Sequence, residues 1–209
     1  MKIFFLSVVF TAAFILARAQ DPKVVGDCTI TFSISSNESS TNDNLSGAVK
    51  TLYIKGDLTR TDINSTDYRQ STFYDSKTGE AVILKELQNN KYMQRLTPEK
   101  WKQQNSRFDG MNVSFTAETK TILGYPCKKG IAQLKDGTSF IFFYAPGMMP
   151  SALENPYEFK GIPGFVLEYE ISGKSNKTEI AYTATKINFS PVPESKFQIP
   201  SSGYRDINN

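Results

Sequence analysis

Glu168 and Glu170 stand two residues apart, on one face of any strand that contains them. A pair of carboxylates is all that glycoside hydrolysis requires. Phe165, Leu167, Tyr169 and Ile171 make the opposite face, so the plainer expectation is a half-buried strand with its apolar side inward and its acids in water. Glu154 and Glu158, in the irregular stretch before it, carry the same expectation of solvation. The chain has no histidine, which removes Ser-His-Asp and Cys-His catalysis, histidine zinc sites and the commonest general base. The two cysteines are too few for a thiolate zinc site, and no Ser-x-x-Lys occurs. Gly173-Lys174-Ser175 resembles the end of a phosphate loop, but Glu168 stands where the loop needs its first glycine. The aspartates lack calcium-loop spacing. The expectation is a chain with no catalytic residues, no metal and no cofactor.

The remaining distinctive residues are apolar. Ser139-Phe140-Ile141-Phe142-Phe143-Tyr144 is apolar on both faces, as a strand is when it lines a hydrophobic lumen or lies between two layers. Met148, Met149 and Leu153 follow in a Pro-rich segment, and methionine suits surfaces that adapt to varied apolar partners. This pattern predicts a pocket formed by Phe140, Phe142 and Tyr144 under a flap of Met148, Met149 and Leu153, with Trp101 nearby. A loop that plugs its own core would read the same way.

The elements that position these residues are mostly strands. Cys28, Ile30, Phe32 and Ile34 alternate with Thr29, Thr31, Ser33 and Ser35. Val49 to Lys55 and Asp57 to Ile63 read as a hairpin, as do Arg69 to Tyr74 and Glu80 to Leu87. Further strands are expected at Lys91 to Leu96, Asn112 to Thr121, Lys128 to Leu134, Ser139 to Tyr144, Phe165 to Ile171 and Thr178 to Phe189, with polar turns at 36–46 and 172–177. Thr97-Pro98-Glu99 predicts a helix start, with an N-cap hydroxyl, proline at the first position and an acid in the first turn. The fold class is mainly β: a curved antiparallel sheet or incomplete barrel with one or two short helices.

Residues 1–19 read as a secretory signal, with Lys2, an apolar run from Ile3 to Leu16 and the closing Ala17-Arg18-Ala19. One β-rich domain over 20–204 and a frayed tail over 205–209 would follow. Loss of Lys2 and Arg18 lowers the formal charge from +3 to near neutral, which excludes the electrostatic footprint of a nucleic-acid partner. Nothing later is long and apolar enough for a membrane-spanning helix. In an oxidising compartment Cys28 and Cys127 suggest one disulfide, the alternative being two buried thiols.

Gly161-Ile162-Pro163-Gly164-Phe165-Val166-Leu167-Glu168 resembles the signature of the GLPGLI family, exported proteins of unknown function found mainly in Bacteroidota. Ile122-Leu123-Gly124-Tyr125-Pro126-Cys127, Tyr144-Ala145-Pro146 and Phe197-Gln198-Ile199-Pro200 match as well. Phe165 and Val166 replace the family's leucine and isoleucine. The resemblance implies the outline of the LolA/LolB group, an incomplete barrel whose mouth is closed over acyl chains, and it supplies no catalytic residues. Gly161, Pro163 and Gly164 are expected to form a tight turn into a buried strand. The resulting expectation is an exported, non-catalytic protein that holds a lipid or other apolar small molecule. The alternative is an envelope module that binds another protein.

Overall fold

The structure is a computed structural model that describes residues 21–36, 47–172 and 178–207. The expected signal segment, most of the 36–46 loop and the turn at 173–177 lie outside the described residues. The strands are β1 (Lys23–Val25), β2 (Asp27–Ser36), β3 (Val49–Lys55), β4 (Leu58–Asn64), β5 (Tyr68–Asp75), β6 (Ala81–Leu87) and β7 (Asn90–Leu96). After the helix α1 (Pro98–Gln104) and a 3-10 turn (Ser106–Phe108) come β8 (Asn112–Ile122), β9 (Tyr125–Gln133), β10 (Ser139–Ala145), β11 (Met148–Pro150), β12 (Phe165–Ser172), β13 (Thr178–Asn188) and β14 (Arg205–Asp206).

Among the described residues, twelve strands form one open sheet in the order β14-β7-β6-β5-β4-β3-β2-β13-β12-β10-β9-β8. Two meanders, β2 to β7 and β8 to β13, join where β2 pairs antiparallel with β13. Strands β7 and β8 are consecutive in sequence yet sit near opposite edges, so the connection between them must cross the sheet. That connection is α1 and the 3-10 turn. Thr97 caps the helix by accepting from the backbone N–H of Lys100 at 3.4 Å, and Pro98 occupies the first turn, where its missing N–H costs nothing. Trp101 packs against Tyr74, Ala81, Ile83 and Leu96, and Phe108 meets Phe140 with ring centroids 5.9 Å apart. The crossing therefore lies on one face of the sheet, the inner one.

Period-two alternation decides what this face holds. Cys28, Ile30, Phe32 and Ile34 of β2 are all buried, while Ser33 and Ser35 are exposed. Register extends the row across strands: Ile34 opposes Tyr182, Tyr182 opposes Tyr169, Tyr169 opposes Phe142, Phe142 opposes Gly130, and Gly130 opposes Phe115. Directly opposed residues share a face, so an aromatic row crosses the inner face from the junction to the β8 edge. Gly130 has a steric reason to lack a side chain, since a Cβ there would lie 2.3 Å from the Phe142 ring.

Four expectations need correction. Cys28 and Cys127 are buried free thiols, not a disulfide. Three strands, β13, β12 and β10, stand between their strands. Cys28 also shares the inner face with Phe32, whereas Cys127 is three residues from inward-facing Gly130 and so points outward. The Met148-Met149 segment is no loose flap: it is β11, paired in parallel with β1. Arg205 and Asp206 do not fray but pair with Tyr92 and Met93, and Ile207 adds a bond from its N–H to the Met93 carbonyl at 2.8 Å. Glu168 is buried rather than in water, with both carboxylate oxygens 2.6 Å from Lys120 Nζ.

Burial, and then the charge of Asp27, push the Cys28 thiol up to about 12, so little reactive thiolate forms. A thiol reagent at neutral pH should leave both cysteines of the native chain unmodified and titrate both after denaturation. An oxidised mass with no thiol released in denaturant would contradict the placement of Cys28 and Cys127.

Candidate functional site

On β3 the inward positions are Lys50, Leu52 and Ile54. A lysine thus occupies a position in phase with the core. Its residue surface is 2% exposed, and removing an ammonium from water costs several kcal/mol. The surroundings offset that cost. Lys50 Nζ donates to Glu154 Oε1 at 2.5 Å and to the Tyr169 hydroxyl at 2.9 Å. It also lies 4.9 Å from the Phe32 and Tyr169 ring centroids, 5.3 Å from Tyr182 and 6.0 Å from Phe159, where ring quadrupoles attract a cation. Tyr169 and Tyr182 are stacked, with centroids 4.3 Å apart and planes 10° from parallel.

Glu154 belongs to an irregular strap, residues 151–164, between β11 and β12. The strap is held at several points. Asn155 Nδ2 donates to Asn105 Oδ1 at 2.8 Å, which ties it to the end of α1. Asn155 Oδ1 accepts from the backbone N–H groups of Tyr157 and Glu158 at 3.0 and 3.3 Å, shaping the turn. Tyr157 packs on the Trp101 cluster, and the Phe159 ring meets Tyr169 edge-on at 5.5 Å. Gly161 ends the turn with φ +77°, a left-handed conformation suited to glycine. Gly164 passes so close to β10 that a Cβ there would sit 2.4 Å from the Ala145 carbonyl oxygen.

Strap and sheet enclose a cavity of about 30 Å³, lined by Phe32, Lys50, Leu153, Glu154, Phe159 and Tyr169 among others. That is about the volume of one water molecule. Glu154 is part of this lining, and its Oε2 is buried with no hydrogen-bond partner among the described residues. The polar groups are electrostatically linked. Burial, with the Glu154 charge second, pushes the Glu158 carboxyl up to about 7, although Lys50 and Arg107 pull it down. Burial and then the charges of Glu154 and Glu158 hold the Tyr169 hydroxyl well above the usual phenol range, and burial followed by Glu158 and Glu154 pushes Tyr182 up to about 12. Both phenols remain protonated donors at neutral pH, and Glu158 is the member of this cluster poised to titrate there. Among the described residues no three His, Cys, Asp or Glu side chains are grouped to hold a metal ion.

The sequence-predicted pocket residues are only partly brought together. Phe140, Phe142 and Tyr144 point inward at 5%, 1% and 4% exposure, but they meet other rings rather than the cavity. Phe115 caps them from the edge strand, 6.4 Å from Phe142 and 5.5 Å from Tyr144. Leu153 does line the cavity. Met148 is buried in β11, Met149 is half-buried beside it, and Trp101 sits in a separate cluster 6.2 Å from Tyr74. The other side of β10 is covered by charge: Lys120 and Lys129 lie 5.0 and 6.0 Å from the Phe143 ring centroid. Sequence reading missed Lys50, and expected Glu154 and Glu158 to be solvated. The available signal was a lysine standing in phase with Leu52 and Ile54.

No family model matches the chain, and no curated protein matches it by sequence. Solved structures share its fold. An uncharacterised conserved protein from Thermus thermophilus superposes with a TM-score of 0.54 at 7% identity, over 88% of this chain and 91% of that one. PNGF-II superposes with a TM-score of 0.52 at 14% identity, over 87% of this chain and 31% of that one, so this chain spans about a third of PNGF-II. MucB superposes with a TM-score of 0.47 at 11% identity, over 84% of this chain and 58% of that one. At these identities the likeness to the Thermus protein and to PNGF-II is one of fold alone.

Lys50→Met should cost about 3–5 kcal/mol of stability by leaving Glu154 buried without its cation. Lys50→Met combined with Glu154→Leu should regain most of that loss in urea unfolding. The raised Glu158 carboxyl binds its proton more tightly folded than unfolded. Its contribution is fully present below about pH 4.5 and lost as pH rises to about 7. Glu158→Gln should remove that decline from a pH series of unfolding curves, and an unchanged slope would contradict the assignment.

Proposed function

We propose that the chain is a non-catalytic binding module working outside the cytoplasm, and that it receives an apolar ligand, such as a lipid acyl chain, between the inner face of the sheet and the strap. The observation that carries this reading is the cross-strand row of Phe142, Tyr169 and Tyr182 on the inner face, whose Tyr169 lies against Phe159 of an irregular segment rather than under a second layer of regular structure. The cavity of about 30 Å³ holds no chain as it stands, whereas pockets for small organic ligands run to about 300 Å³ or more. Entry therefore requires the strap to lift, with β11 and β12 as its fixed ends. Lys50–Glu154 and Asn155–Asn105 are the contacts to be broken. Membership of the GLPGLI group, suggested by Gly161 to Glu168, and export, suggested by residues 1–19, belong to the same proposal.

A second reading has its own observation. Phe115 is 48% exposed on β8, an edge strand of the sheet, and a protein partner meeting that edge would cover it. The bulge between Phe115 and Thr119 and the charges of Glu118 and Lys120 work against simple strand addition there.

Native mass spectrometry of the protein with oleate, paired with amide chemical shifts, separates the two. A one-to-one complex that moves the amides of Lys50, Glu154 and Tyr169 is the expected result. The Asn155→Ala variant, which unties the strap from Asn105, should bind faster, because its strap opens more readily. Absence of a complex for both proteins, or shifts confined to β8, would overturn the apolar-ligand reading.

A further inference from the structure

A second concavity, of about 250 Å³, lies on the outer face of the sheet, away from Lys50. Register builds it. Lys50 opposes Ile63, so the flanking Asp62 and Asn64 point to the other side. Asn64 opposes Arg69, which opposes Glu86, while Asp62 opposes Ser71, which opposes Leu84. Phe73 completes an apolar floor with Leu84, and the C-terminal tail closes the side with Gln198, Pro200 and Tyr204.

The charges of this pocket are matched with one exception. Arg60 Nε lies 2.7 Å from Asp62 Oδ1, and Arg60 Nη1 donates to the Lys196 carbonyl at 2.6 Å. Glu86 accepts from the Tyr204 hydroxyl and lies 3.5 Å from Lys91 Nζ. Each carboxylate thus has its own cation. Arg69 is exposed and, among the described residues, makes no hydrogen bond or ion pair; its charge acts on Glu86 and Tyr204 through space.

A guanidinium without a carboxylate partner takes a carboxylate through two parallel hydrogen bonds. Ser71 and Asn64 can donate to and accept from hydroxyl groups, and the Asp62 carboxylate beside them can accept from them. Leu84 and Phe73 offer a surface for C–H groups. We propose that this pocket binds a sugar acid of monosaccharide size, with Arg69 holding its carboxylate, Asp62, Asn64 and Ser71 its hydroxyls, and the apolar floor one face of its ring. The volume sits below the range of drug-sized pockets and suits a small ligand. The site shares no side chain with the cluster around Lys50, so it stands or falls independently of the apolar-ligand reading.

The test is a titration of isotope-labelled protein with D-glucuronate, run beside D-glucose, which has the ring and hydroxyls but not the carboxylate. D-Glucuronate should shift amides of β4, β5 and residues 198–204 in a saturable way, with affinity falling as salt rises. Arg69→Gln should weaken it about tenfold or more while leaving the melting temperature unchanged, because the side chain is exposed. No shifts at millimolar D-glucuronate, equal affinity for D-glucose, or undiminished binding by Arg69→Gln would each overturn the proposal.

Discussion

The pairing of β2 with β13 is the constraint on which the rest of the architecture depends. It joins two meanders into one sheet and puts the first long strand of the domain beside the last. Once that ladder forms, β7 and β8 are carried toward opposite edges, and the chain between them must cross the inner face. The crossing is stable because α1 delivers Trp101 to one apolar cluster and the turn after it delivers Phe108 to Phe140. The aromatic row joins residues far apart in sequence, with Ile34 opposing Tyr182 and Tyr169 opposing Phe142. The fold is therefore rich in non-local contacts, the kind of topology that folds slowly.

The buried lysine follows from the same geometry. Lys50 opposes Phe32 in the β2–β3 ladder, so its side chain rises from the inner face and is buried where the strap lies over it. Four different elements then supply what an ammonium needs: the strap gives Glu154, β12 gives Tyr169, and β2 and β13 give the ring faces of Phe32 and Tyr182. Such an arrangement is weak evidence for stability, since an apolar trio of similar volume would pack at lower desolvation cost. Its physical effect is to couple the strap to the sheet by a charge. Glu158 adds a second carboxyl within the field of the same lysine; burial first and the Glu154 charge second push it up to about 7, so it titrates near neutral pH.

The outer face follows a different logic. There the C-terminal tail lies against part of β4 to β7, and in the grid of Arg60, Asp62, Ser71, Arg69 and Glu86 only Arg69 is exposed, Asp62 being buried against Arg60. Phe73, Val82, Leu84 and Met93 form an apolar cluster beneath, with Tyr204 packed against it. The short parallel pair formed by β14 holds that tail at the β7 edge. Inner and outer faces of the same strands thus carry separate chemistries, which period-two alternation permits.

By itself the sequence determined the local elements. The alternation of Cys28 to Ile34, the glycine turn at Gly56, the β5–β6 hairpin and the Thr97-Pro98 helix start were all legible, because nearest neighbours and backbone sterics set them. Tertiary structure alone decided everything that depends on which strand meets which. Periodicity put Cys28 on the buried side but could not reveal that Cys127 faces the other way, because facing is fixed by register across five strands. Met148 and Met149 read as a loose flap because the partner that makes them a strand, β1, is more than a hundred residues distant in sequence. Glu154 and Glu158 read as solvated acids for the same reason: a carboxylate's environment is set by what folds over it, and the lysine that answers Glu154 lies on β3.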